Sequence, residues 1–154
     1  MIDLFGHIYE ESECNCEKCN SMCSNNKPCW GLPEEIEAIM NSGYIHRLML
    51  VYYLDNDYRP IQILSPALIG YESKVAPVIQ IGRCTFFNAK NACTLHNLNL
   101  KPLEGRIANC KSDRSHDLRN DIAILWKTPK AKELIIKWKE SICQSPACMQ
   151  SIDK

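Results

Sequence analysis

No stretch of the 154 residues approaches the roughly 18 uninterrupted apolar residues of a membrane span, so no bilayer-crossing helix is expected. Net charge is lacking as well. The 18 basic and 18 acidic residues cancel, which removes any whole-chain attraction to nucleic acid or to an anionic membrane and leaves only room for a local basic patch. The opening Met1-Ile2-Asp3-Leu4-Phe5-Gly6-His7-Ile8-Tyr9-Glu10-Glu11 has no basic n-region and no long apolar h-region, so it does not read as a secretory signal. With Met1 taken as the initiator, the expected location is cytoplasmic. Catalytic signatures are missing too: no G-x-S-x-G, Walker A, G-x-G-x-x-G, H-E-x-x-H or H-x-E with P-C-x-x-C occurs, and no catalytic residue is assigned. Solenoid-length repeats, low-complexity tracts and an internal linker are also absent, so residues 1–154 read as a single domain.

What the chain has in excess is cysteine. Ten cysteines, about 6% of the chain, exceed what an intracellular core ordinarily uses but fall short of a small disulfide scaffold. Five of them, Cys14, Cys16, Cys19, Cys23 and Cys29, lie in sixteen residues almost without apolar side chains. Such a segment cannot fold by burying hydrocarbon. A bound ion can organise it, because thiolate coordination contributes on the order of 10 kcal/mol that is also folding free energy. The C-x2-C spacing of Cys16 and Cys19 lets two sulfurs converge on one tetrahedral ion, with Cys23 and Cys29 near enough to join. Without export, disulfides are disfavoured, and clustered cysteines are more often ligands or redox groups.

The remaining pattern is mostly helical. Pro33-Glu34-Glu35 opens a short amphipathic helix, with Ile36, Ile39 and Met40 on one face and Gly43 as its cap. The apolar run 44–54 is ambiguous by periodicity and is assigned to a second helix ending before the turn-forming Asp55-Asn56-Asp57. Ile61-Gln62-Ile63-Leu64 alternates as a strand, and further short extended pieces are expected over 68–71, at Val75 and over 78–81. A Pro-initiated helical turn follows at 101–110, and helical spacing recurs from His116 to Trp126. The final helix is capped by Thr128, starts at Pro129 and lines up Leu134, Ile135, Trp138 and Ile142. Trp126 and Trp138 fit core positions, and the isolated His7, His46 and His116 read as surface or satisfied core histidines.

Cys16-x2-Cys19-x3-Cys23, then Cys84-x-Phe86-Phe87, Cys93-x-Leu95-His96 and Lys101-Pro102-Leu103-Glu104-Gly105-Arg106, together resemble the YkgJ-type cysteine-cluster family, the CxxCxxCC domain described as zinc- or iron-chelating. The resemblance covers 14–110 and leaves the C-terminal helices, 116–143, outside. It implies that Cys16, Cys19, Cys23, Cys84 and Cys93 occupy the family's cysteine positions. Two departures stand out: the family's vicinal pair is Met22-Cys23, and the cysteine of its Arg-Pro-x-x-Cys-Arg is Gly105. Cys29 and Cys110 are the residues that would compensate. His96 lies where the family accepts tyrosine as well, which argues against a ligand role.

These readings give a small, mainly helical α+β domain whose short strands and loops converge on a cysteine metal cluster. The expected ligands are Cys16, Cys19, Cys23, Cys29, Cys84, Cys93 and Cys110. Sulfur-only ligation suits zinc, with an iron-sulfur cluster as the alternative, and disfavours magnesium or calcium. Cys143 and Cys148 remain open between structural, redox and ligand roles. The expected function is zinc binding in an accessory or interaction module with a protein partner and no nucleic acid. Its rival is an iron-sulfur protein or enzyme with redox or methyl-transfer-related chemistry, and a secreted disulfide domain is a third possibility.

Overall fold

The computed structural model describes residues 1–11, 28–88, 93–107 and 115–143. The chain opens with a hairpin, β1 (Ile2–Leu4) against β2 (His7–Tyr9), in antiparallel register from Ile2↔Tyr9 to Leu4↔His7. Phe5 and Gly6 turn it with φ of 54° and 84°, the double left-handed geometry that matches the strand twist, and Asp3 Oδ1 accepts the Gly6 N–H at 2.9 Å. Helix α1 (Pro33–Ile39) begins at its proline, with Glu34 and Glu35 in the first turn. It buries Ile36 and Ile39, as its spacing predicts, then widens through Met40–Tyr44, where Gly43 takes φ 93°, and tightens into a 3-10 turn, Ile45–Arg47.

The helix expected over 44–54 does not continue past Arg47. Leu48–Leu54 is strand β3, paired antiparallel with β4 (Pro60–Pro66) from Leu48↔Pro66 to Leu54↔Pro60. The strand has a physical cause. Leu48, Met49, Leu50 and Val51 are all buried, so both faces of the strand are apolar and no alternation announces it. The ladder is set by the partner strand and by the turn between them, where Asp55 Oδ1 accepts the N–H groups of Asp57 and Arg59 at 2.8 and 2.9 Å. On the other edge of β3, Leu50 bridges Val75 in parallel; beyond the end of β4, Leu68 bridges Cys84 in antiparallel register. No strand forms over 78–81: Val78, Ile79 and Ile81 are exposed, so their apolar character buries nothing there.

Helices α2 (Thr94–Asn97), α3 (Leu103–Ile107), α4 (Ser115–Leu125) and α5 (Pro129–Ile142) complete the order. Thr128 caps α5 by accepting the Ala131 N–H at 3.3 Å, and α5 packs against α1 and β4. A cluster of buried side chains runs from Tyr9 through Trp30, Ile36, Leu50, Phe86 and Trp126 to Trp138. Among the described residues the architecture is five α-helices with two antiparallel two-stranded sheets, a mixed α+β chain as expected. No described helix is long and apolar enough to cross a membrane.

Candidate functional site

Cys29 sits in an extended segment that the fold grips along its backbone. Arg119 Nη2 donates to the Pro28 carbonyl at 3.2 Å, the Trp30 N–H donates to Glu104 Oε1 at 3.3 Å, and the Trp30 carbonyl accepts the Glu104 N–H at 3.0 Å. One residue on, the Trp126 indole N–H donates to the Gly31 carbonyl at 3.0 Å. Each backbone group held this way satisfies a polar atom that burial would otherwise leave stranded. The clamp itself is an ion pair. Arg119 meets Glu104 through two bonds, Nε to Oε2 at 2.6 Å and Nη2 to Oε1 at 2.7 Å, while its guanidinium lies 4.3 Å from the Trp30 ring centroid. Cys29 is thereby buried against α3, where a Cβ added at Gly105 would come within 3.2 Å of its sulfur.

The next residue of α3 holds the other end of the cysteine-rich stretch. Arg106 Nε pairs with Glu11 Oε1 at 3.0 Å, and its Nη2 pairs with Glu35 Oε1 at 3.0 Å. Glu11 and Cys29 therefore meet neighbouring positions, Arg106 and Gly105, and the stretch between them starts and finishes at one short helix. Glu35 is more than a helix-start carboxylate: its Oε2 accepts the N–H groups of Leu32 and Leu103 at 3.4 and 2.8 Å. Burial raises its pKa, opposed first by the Arg106 charge and then by these bonds. The Lys101–Arg106 motif thus works as a fastening. Arg106 neutralises carboxylates here.

Cys84 and Cys93 come to one turn. The Cys84 carbonyl accepts the Phe87 N–H at 3.0 Å, Phe87 bridges Cys93 in antiparallel register, and the Thr94 N–H donates to Phe86 at 2.8 Å. Arg83 stacks over Phe87 and Arg47 over Phe86, at 4.9 and 4.3 Å, which stiffens the turn from both sides. Cys29, Cys84 and Cys93 are thiols, whereas Cys143, buried at the end of α5, is half of a disulfide whose partner lies outside the described residues. The expected ligands Cys16, Cys19, Cys23 and Cys110, with Cys14 and Cys148, also lie outside them.

No protein-family profile, curated protein or solved structure matches this chain.

Among the described residues no group of three or more His, Cys, Asp and Glu side chains is placed to hold an ion. A tetrahedral sulfur site takes four donors, so Cys84 and Cys93 would supply at most two of one. Sequence reading missed the polar side chains that shape the site. Glu104 and Arg119 are fifteen positions apart on different helices, and nothing local marks them as partners. Asp121, also buried, accepts the Tyr9 hydroxyl and the His7 Nδ1 bond on the same Oδ2, each at 2.7 Å, tying the N-terminal hairpin to α4. Helical spacing places Asp121 between Leu118 and Ile122 on the inward face, which was the available signal.

Proposed function

We propose that this chain binds a metal ion through cysteine sulfurs, with zinc as a structural centre in an accessory or interaction module. The observation that carries the reading is the closure of the cysteine-rich stretch on α3, Glu11 at Arg106 and Cys29 at Gly105. A stretch fixed at both ends and poor in apolar residues gains little from hydrocarbon burial, and a thiolate-bound ion supplies what is missing. Cys16, Cys19 and Cys23 with Cys29 offer one tetrahedral set, and Cys84 and Cys93 with Cys110 offer the start of another. In this reading the protein resembles the YkgJ-type cysteine-cluster family, with Cys29 and Cys110 compensating for the cysteines that Met22 and Gly105 replace. An iron-sulfur cluster would draw on the same donors. Elemental analysis of protein isolated without oxygen tests the proposal: the expected result is about one or two zinc ions per chain and a colourless solution. Brown protein with visible absorption replaces zinc by an iron-sulfur centre. Metal-free, fully folded protein overturns both.

The disulfide at Cys143 favours a second reading, an oxidised domain whose cysteines pair with one another. Thiol titration of unfolded protein separates the two. In the metal reading most thiols react once a chelator strips the ion, and in the oxidised reading they react only after reduction.

A further inference from the structure

The start of β4 and the α4–α5 junction enclose a cleft of about 370 Å³, with no cysteine in its lining. Its floor is Ile61, Trp126 and Ile135, all buried. The Trp126 indole is fixed by its bond to the Gly31 carbonyl, so the floor is preformed and does not need ordering when something lands on it. The rim is cationic, carrying Arg59, Lys127 and Lys132. Asp55, the lining carboxylate, is already engaged: Lys127 Nζ lies 3.0 Å from its Oδ2 and Arg59 Nε 3.6 Å away. Arg59 is also held by Asp57 at 2.6 Å. Three cations against these two carboxylates leave a single net positive charge, and Lys132, exposed, forms no ion pair among the described residues.

The volume falls in the range of clefts that take small organic molecules, roughly 300–1,000 Å³. Lys132 is the lining cation with no carboxylate partner among the described residues, and the apolar side chains of the floor favour an organic ligand over an inorganic anion. A ligand that satisfies both has an apolar body and one negative charge. We infer that this cleft binds a small organic monocarboxylate, its carboxylate on Lys132 beside Lys127 and its aliphatic or aromatic body on the Ile61–Trp126–Ile135 floor.

The test is a titration of the full chain, followed through its backbone amide resonances, with hexanoate, benzoate, hexanol and acetate. Hexanoate or benzoate is expected to shift the amides of Arg59, Ile61, Gln62, Trp126, Lys127, Lys132 and Ile135 saturably, and hexanol and acetate to bind at least about tenfold more weakly. Lys132→Gln is expected to weaken hexanoate about tenfold and leave hexanol unchanged. Lys130→Gln, which removes a lysine paired with Glu37 outside the cleft, leaves hexanoate binding intact. No saturable shift with either carboxylate, shifts confined to other residues, equal binding of hexanol, or an unchanged Lys132→Gln would each overturn the inference.

Discussion

Arg119 reaches across from α4 to place a two-bonded guanidinium on Glu104 of α3, with 15% and 3% of the two side chains exposed. The pair closes the clamp on Pro28 and Trp30. Removing one partner strands a buried charge, a loss of about 3 kcal/mol or more. Glu104→Ala and Arg119→Ala are therefore each expected to lower stability by that order in denaturant melts. The double change Glu104→Leu with Arg119→Met is expected to cost less than the two single losses combined, since it leaves no lone charge.

Two carboxylates respond to pH in opposite senses. The Arg59 backbone N–H, then the Lys127 ammonium, lower Asp55 from its ordinary 3.8 to about 2, so its contribution is present above pH 3.8 and disappears as pH falls through 2. Glu35 is raised above its ordinary 4.5 by burial, so the folded state holds its proton longer and stability declines as pH climbs above 4.5. Melting temperature against pH is expected to lose its acid-side slope in Asp55→Asn and its decline above 4.5 in Glu35→Gln.

If the sulfurs hold an ion, the two cysteine groups need not fail together. Cys16→Ser with Cys19→Ser is expected to lower metal content and melting temperature, and Cys84→Ser with Cys93→Ser to lower metal content. Unchanged metal in both double variants, measured by elemental analysis, refutes the ligand assignment.

Tyr9 gives its hydroxyl hydrogen to a buried carboxylate, Asp121. Hydrogen bonds to charged groups contribute about 1.5–3 kcal/mol, so Tyr9→Phe is expected to destabilise the chain by that order. Amide exchange is the sharper measure, with protection expected to fall first in Ile2–Tyr9.

Gly105 faces the flexible Lys101 stem and the Cys29 sulfur across a narrow gap. A Cβ there would meet Lys101 Cε at 3.0 Å and the Cys29 sulfur at 3.2 Å. Gly105→Cys is expected to crosslink to Cys29 on mild oxidation, read as the loss of two reactive thiols in unfolded protein.

The C-terminal helix was legible because its signals are local: Thr128 and Pro129 start it, and the Leu134–Ile135–Trp138 stripe faces inward. So was β4, through the alternation of Ile61 and Ile63. Strand β3 was not legible, because what decides between helix and strand for Leu48–Val51 is a ladder to residues on the far side of a turn. The cysteine spacing singled out Cys84 and Cys93, whose backbones both meet Phe87. It gave no hint that the Lys101–Arg106 motif would gather Glu11, Cys29 and Glu35, because those contacts join positions separated by 68 residues or more.

The anchoring of Glu11 and Cys29 on adjacent residues of α3 has a kinetic side. Residues 11 and 29 both meet one short helix, so if the cysteines between them hold an ion, part of the loop closure that chelation demands is already made. On that reading capture is expected to be all-or-none in metal titrations. Cutting the Arg106–Glu11 foothold would slow that chelation without touching a single donor atom.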